Sequence, residues 1–398
     1  MFLGTVLTRN PRLVDFAAEL HRTGQVQPNT YVMDLDAVEA NAALLAREAR
    51  RWGLGLWPVV KQVGRNPELI RAVARYLPRF AAIDAPEART LHSAGVRVGN
   101  VGHLVQVPHR ALPEVLARRP GAVTVFDAAN ARAVSDAARR LGLVQAVLVR
   151  IEGAPGLVFP GQEGGVPLGG LAEFAAEVEQ LPGVRLAGVT GFPCVQCVPN
   201  SEQPRPTATF ALVREARAVL AARGHTDLVL SAPGVTCAAT LPLLAELGAT
   251  HGEPGHALTG TTPLHAVDRD QPEQPAYVYV TEVAHVLADG RPALHGGGFY
   301  PRARVESALI PRTGARLAVQ RAPAENIDYY RLLAPGDARP GDTAVLAFRT
   351  QIFVTRSTVA VVAGLAAGSP RLIGCHDALG RPLAEVAENT GRKGGGGP

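Results

Sequence analysis

From residue 30 onward the chain repeats one unit, a short β-forming run followed by a helical run, and this alternation restricts the fold more than any other feature. It opens with "TYVMDLD" and then "AVEANAALLAREARRWG", whose apolar residues recur at helical spacing. The β candidates that follow are "LWPVVK", "FAAID", "VGNVGHLV", "AVTVFD", "AVLVRIE", "VRLAGVTGF", "DLVLSAP" and "THGEPGHALTG", with one helix between most neighbours. About eight such units over roughly 230 residues predict a (β/α)8 barrel of the TIM type. An open doubly wound sheet fits less well, because no GxGxxG follows the first strand. After about residue 265 the helices drop out, and "AYVYVTEVAHVLADG", "PALHGGGFYPR" and "TAVLAFRTQIFVTRSTVAVVAG" predict a separate, mainly β domain. The expected organisation is a helical extension over 1–29, the barrel over 30–264 and the β domain over 265–390. The tail "GRKGGGGP" has no core-forming residue, so 391–398 is expected to be disordered.

Composition removes several function classes. With 47% hydrophobic and 19% charged residues in 398, the chain is expected to fold rather than stay disordered. The 40 basic against 35 acidic residues are scattered, with no basic block among aromatics, so no nucleic-acid partner is expected. No apolar run reaches the ~20 residues of a membrane span, and a soluble, cytoplasmic protein is expected. Four cysteines do not make a disulfide framework. "CVQC" at 194–197 is half a zinc site at most, with only Cys237, Cys375 and His376 as further donors, and no metal is expected.

In a barrel the carboxyl ends of the strands converge on one mouth. That rule gathers Lys61, Asp84, His103, Glu152, "TGFPC" (190–194), "SAPGVT" (231–236) and "EPGH" (253–256). Each alone is explained as a turn residue or a polar strand end, and Lys61 as a surface charge that snorkels into water. Together, an amine, a glycine-rich loop with hydroxyls and a carboxylate suit pyridoxal 5'-phosphate. Its aldehyde needs an amine, its phosphate needs N–H and hydroxyl donors, and its ring nitrogen needs a partner that sets its charge. Ser231, Gly234, Val235 and Thr236 precede a run that reads as helical, which would leave free N–H groups for the phosphate. His103 and Gln106 end a strand and either line the pocket or are capped by neighbours.

The stretch "YVMDLDAVEANAALLAREARRWGLGLWPVVKQ" resembles the start of alanine-racemase-like, fold-type III pyridoxal phosphate proteins, and Lys61 falls on that family's Schiff-base lysine. "KQVGRNP", "GHLVQVP", "HGEPGHALTGT" and "FRTQIFVTRS" resemble an uncharacterised branch of the family more closely. The resemblance implies an amino-acid substrate handled at its α-carbon, racemisation as the leading reaction, and a homodimer with the active site between subunits. Several positions depart from it. Where alanine racemases set an arginine at the ring nitrogen, this chain has Glu253 in "EPGH", similar to the "EPGR" of fold-type III decarboxylases. A carboxylate there favours the protonated ring and a stronger electron sink. Gly191 stands where relatives place a histidine over the ring, and Gln162 where racemases have an arginine near the phenolic oxygen.

A racemase also needs an acid or base on the face opposite the lysine. The family's tyrosine is matched by Gly296, which leaves the neighbouring His295 as the candidate, with Tyr300 four residues on. Cys375 and Asp377 in "GCHDALG" are similar to a cysteine and acidic residue of the decarboxylases, and aldolase and dehydratase relatives bind a metal there. Neighbours on a strand face opposite sides, so of Cys375, His376 and Asp377 at most Cys375 and Asp377 share a face, and no metal is expected there. The alternatives are therefore a decarboxylase, a D-threonine aldolase-like lyase, or a pyridoxal phosphate-binding protein without turnover. Arg65, Arg302 and Arg349 are each open as the anchor for a substrate carboxylate.

Overall fold

The computed structural model describes residues 2–197, 203–302 and 304–383. The expected tail at 391–398 lies outside them. The eight β runs from "LWPVVK" onward form one parallel sheet of eight strands. Following the hydrogen bonds, it runs Gly55–Leu56, His251–Gly252, Val229–Ser231, Val184–Thr190, Gln145–Arg150, Ala122–Val125, Arg97–Val101 and Arg79–Ala82. The two ends meet where the Ala81 N–H donates to the Pro58 carbonyl at 3.0 Å, which nearly closes the barrel. Strands such as Gln145–Arg150 are buried at every position, as a parallel sheet covered on both faces requires.

The strand Thr30–Asp34, which the alternation places at the start of the barrel, lies elsewhere. It pairs antiparallel with Tyr277–Val286 and parallel with Thr358–Ala363, in the middle of the second sheet. Its period of two explains why it is buried on both faces. Tyr31 and Met33 join the core shared with the barrel, whereas Val32 joins a second core with Val278, Val280, Val345 and Val362. The helices Phe2–Arg9 and Pro11–Arg22 close that second core with Val6, Leu13, Val14, Ala17 and Leu20. Asp34 then caps the helix Leu35–Arg51 by accepting from the N–H groups of Asp36 and Ala37. Among the described residues no helix is long and apolar enough to cross a membrane.

The segment carrying Lys61 leaves its strand late. Beyond Leu56 the backbone stays extended, with Trp57 N–H donating to Gly252 and Val59 N–H to Pro254. A 3₁₀ turn, Lys61–Val63, follows and is ended by Gly64 at φ 61°. A β-carbon on Gly64 would sit 2.7 Å from Val359 Cγ2 in the second sheet. Gly64→Ala combines a left-handed backbone with this overlap, and is expected to lower stability by about 1–3 kcal/mol. Thermal unfolding of the variant checks this.

Candidate functional site

One cleft opens at the carboxyl ends of the barrel strands, with a volume of about 650 Å³ counted out to its mouth. Lys61, His103, Gly234, Val235, Thr236 and Glu253 all line it. A larger groove, about 1430 Å³, lies at the opposite, amino ends of the strands beside Arg79, Arg97 and Glu114. In a barrel that face serves stability rather than chemistry.

Lys61 is partly exposed within the cleft. Burial lowers its pKa, Glu87 and Glu253 oppose that, and the charges of Arg302 and Arg349 add to it. The lowered value leaves more of the amine unprotonated and nucleophilic near neutral pH. Glu253 is 5% exposed. Its Oε1 accepts from the Ser231 hydroxyl at 2.8 Å, and its N–H donates to Thr236 Oγ1 at 3.3 Å. Burial pushes its carboxyl up to about 7, against the Ser231 hydrogen bond and the charges of Lys61 and Arg150. The structure thus directs the Ser231 hydroxyl, expected at the phosphate, to the carboxylate instead.

His103 has its Nε2 3.5 Å from Glu253 Oε2. Burial, then the charges of Arg150 and Lys61, hold it well below the usual histidine range, so the ring is neutral. Gln106, by contrast, is turned to the backbone, donating to the Thr124 carbonyl and accepting from the Phe126 N–H. Arg150, at the end of its strand, is almost fully buried and donates to the carbonyls of His103, Gln162 and Gly164. It fixes the 152–166 loop beside the mouth. Gln162 belongs to that loop rather than to the cleft wall.

His295 and Cys375 are not brought to this cleft within the chain. His295 ends the strand Pro292–His295, with its ring 6.2 Å from that of Tyr330. Cys375 pairs in register with Ala360 and packs on the outer core, where burial pushes its thiol up. Cys194 is buried and donates its S–H to the Gly191 carbonyl at 3.3 Å. Among the described residues no three His, Cys, Asp or Glu side chains cluster as a metal site.

The three open arginines separate by their partners. Arg65 is buried, ion-paired with Asp84 at 3.3 Å and Glu87 at 3.4 Å, and stacked 4.9 Å over Phe353. Arg302 is exposed. Arg349 alone of the three lines the cleft, and burial brings its guanidinium down to about 10, with Arg302 adding to the effect. Gln62, Phe192, His256 and Thr262 also line the cleft; Phe192 and His256 belong to the "TGFPC" and "EPGH" segments expected at the mouth, whereas Gln62 and Thr262 were not placed there from sequence. The only signal for Thr262 was its place in "EPGHALTGTT" after a barrel strand.

The wall is incomplete as it stands. Gln62 Oε1, His103 Nδ1, Glu253 Oε2, His256 Nε2 and Arg349 Nε are all buried without a hydrogen-bond partner. Each such atom costs about 1–3 kcal/mol when left unmade, so five on one cleft fit a polar ligand with several contacts. The Val235 N–H donates to the Val195 carbonyl, whereas the N–H groups of Gly234 and Thr236 have no acceptor among the described residues. Gly234 has a structural reason to be glycine, since a β-carbon there would lie 2.4 Å from the Val195 carbonyl oxygen. Free amides, an amine and an unpartnered carboxyl oxygen form the donor set that pyridoxal phosphate requires.

Residues 33–263 match the family model described as alanine racemase, N-terminal domain, and residues 278–372 match that of the YhfX-like C-terminal domain. The uncharacterized protein YhfX of Escherichia coli (strain K12) is 38% identical over 388 residues, which is 96% of this chain and 100% of that one. D-threonine aldolase from Filomicrobium marinum shares the fold with a TM-score of 0.67 at 19% identity, over 89% of this chain and 96% of that one. Alanine racemase from Clostridium difficile 630, solved with cycloserine, gives 0.62 at 14% identity, over 88% and 99%. Barrel, β domain and order along the chain agree throughout, and the chain belongs to the alanine racemase N-terminal domain family, in the form that carries a YhfX-like C-terminal domain.

Proposed function

We propose that the protein is a pyridoxal phosphate-dependent amino-acid racemase that moves a proton at the substrate α-carbon. The observation that carries this reading is one cleft holding an amine of lowered pKa, a buried carboxyl near 7 and uncommitted loop amides. When bound, the cofactor supplies an aldehyde that captures amines and a ring that takes up negative charge from Cα. Lys61 holds the aldehyde and carries the proton on one face of Cα. Glu253 would hold the ring nitrogen and favour its protonated form, with Ser231 keeping that carboxyl oriented. The N–H groups of Gly234 and Thr236 bind the phosphate, and Arg349 binds the substrate carboxylate.

The second face needs its own acid or base. His103 and His256 are held neutral by burial first and by neighbouring cations second. His295 does not line the cleft of its own chain, so the reading assigns it to the cleft of a second copy and includes a homodimer with the site at its interface. Incubation with single amino acids in deuterated water tests the reaction. Exchange at Cα with inversion supports a racemase, whereas release of carbon dioxide or glycine rejects it in favour of a lyase. The lyase is the second reading because Glu253 supplies the protonated ring such reactions draw on.

Arg349→Ala is expected to raise KM for the amino acid about 10- to 100-fold, with a smaller change in kcat, since a charge-assisted pair is lost in ground and transition states alike. Steady-state kinetics on the substrate enantiomers checks this.

A further inference from the structure

Two buried side chains behind the cleft have no part in the reading above. His265 is 1% exposed and Glu273 is 0% exposed. Thr262 lies in the cleft wall, with its Oγ1 2.7 Å from His265 Nδ1. Across the ring, His265 Nε2 is 3.3 Å from Glu273 Oε2, at ion-pair distance but with no hydrogen bond formed. The other Glu273 oxygen accepts the Ala238 N–H at 2.7 Å. One carboxylate is therefore tied to the segment that follows Gly234 and Thr236 and, through an imidazole, to a hydroxyl in the cleft.

A hydroxyl, an imidazole and a carboxylate in a row have two proton arrangements. With one ring proton, the proton sits on Nε2 facing the carboxylate. Nδ1 then accepts the Thr262 hydrogen, and Thr262 presents only oxygen lone pairs to the cleft, which repel an anion. With two ring protons, Nδ1–H donates to Thr262 Oγ1 and the Thr262 O–H turns into the cleft as a donor. An anion in the cleft selects the second arrangement, and Glu273 keeps the imidazolium paired in a buried place.

We propose that Thr262, His265 and Glu273 form a proton-coupled relay for anion binding, in which His265 takes up a proton as a phosphate monoester enters the cleft. The inference rests on the cleft being a phosphate-bearing cofactor site. Other groups face this region and must be separated from it. His256 and Asp268 interact with the charge of His265, and Cys237 with that of Glu273. Lys61, His103, Glu253 and Arg349 share the cleft.

The test is titration calorimetry at pH 8 in two buffers of different ionisation heat, using inorganic phosphate, pyridoxal phosphate and pyridoxal. About one proton is expected to be taken up with inorganic phosphate, and about one more with pyridoxal phosphate than with pyridoxal. Lys61→Ala should keep the phosphate-linked uptake. His265→Gln and, as a second variant, Glu273→Gln should abolish it and weaken phosphate binding about 10- to 100-fold. Thr262→Val should weaken binding similarly, and Thr262→Ser should restore it. Phosphate bound without proton uptake, uptake that survives in both His265→Gln and Glu273→Gln, or uptake that vanishes in Lys61→Ala overturns the relay while leaving the cofactor reading intact. Absence of any pyridoxal phosphate binding overturns both.

Discussion

Replacing Lys61 by alanine is expected to give a folded protein that loses its colour on dialysis after exposure to pyridoxal phosphate, with turnover down by roughly 10²–10⁴-fold or more. The size of the effect follows from the proposed function, in which two roles fall on one atom: Nζ would both hold the aldehyde and carry the proton. Lys61→Arg should not rescue it. A guanidinium stays charged and cannot act as an amine nucleophile, whatever its position. Absorbance after dialysis and circular dichroism of the same sample separate a lost cofactor from a lost fold. Colour and turnover retained in Lys61→Ala would reject the assignment of this lysine.

Glu253→Gln is expected to stabilise the cofactor-free protein at pH 8 while leaving it nearly unchanged at pH 4.5. Burial raises the folded-state pKa from its ordinary 4.5 to about 7. Between those values the folded chain binds a proton that the unfolded chain releases. The stability is therefore fully present below pH 4.5 and is lost as pH rises through 7. At about 1.4 kcal/mol per pH unit the gap is worth about 3 kcal/mol. Glutamine carries no charge to desolvate and can still meet the Ser231 hydroxyl. The difference in unfolding free energy between variant and parent should thus grow with pH, and a difference that is flat from pH 4.5 to 8 would count against the buried carboxyl. The same variant bears on reaction type. Racemisation in the resembled enzymes proceeds with an arginine at the ring nitrogen, so a racemase should lose little kcat, whereas a lyase that draws on the protonated ring should lose far more.

Much of the candidate cleft's lining was legible before the fold, for one geometric reason. Strand ends in a barrel share a mouth, so Lys61, Glu253 and the 234–236 loop could be grouped from position alone. What position alone left open was every choice that depends on a partner. Ser231 sat in the right loop, yet its hydroxyl is taken by Glu253, 22 residues away in sequence. Of three arginines, only packing shows that Arg65 is spent on Asp84 and Glu87 and that Arg349 faces the cleft. The Thr262, His265 and Glu273 row carries no motif, because its spacing is that of a turn and a loop rather than of one helix face.

The sequence by itself determined the βα alternation, the change to a β domain and the lysine at a strand end, since these rest on local period and chain order. Tertiary structure alone decided that Thr30–Asp34 leaves the barrel for the second sheet. A strand's pattern states which residues are buried, whereas its neighbours are chosen by hydrogen-bonding edges hundreds of residues away. For Thr30–Asp34 those edges are Tyr277–Val286 and Thr358–Ala363, and no local pattern records them.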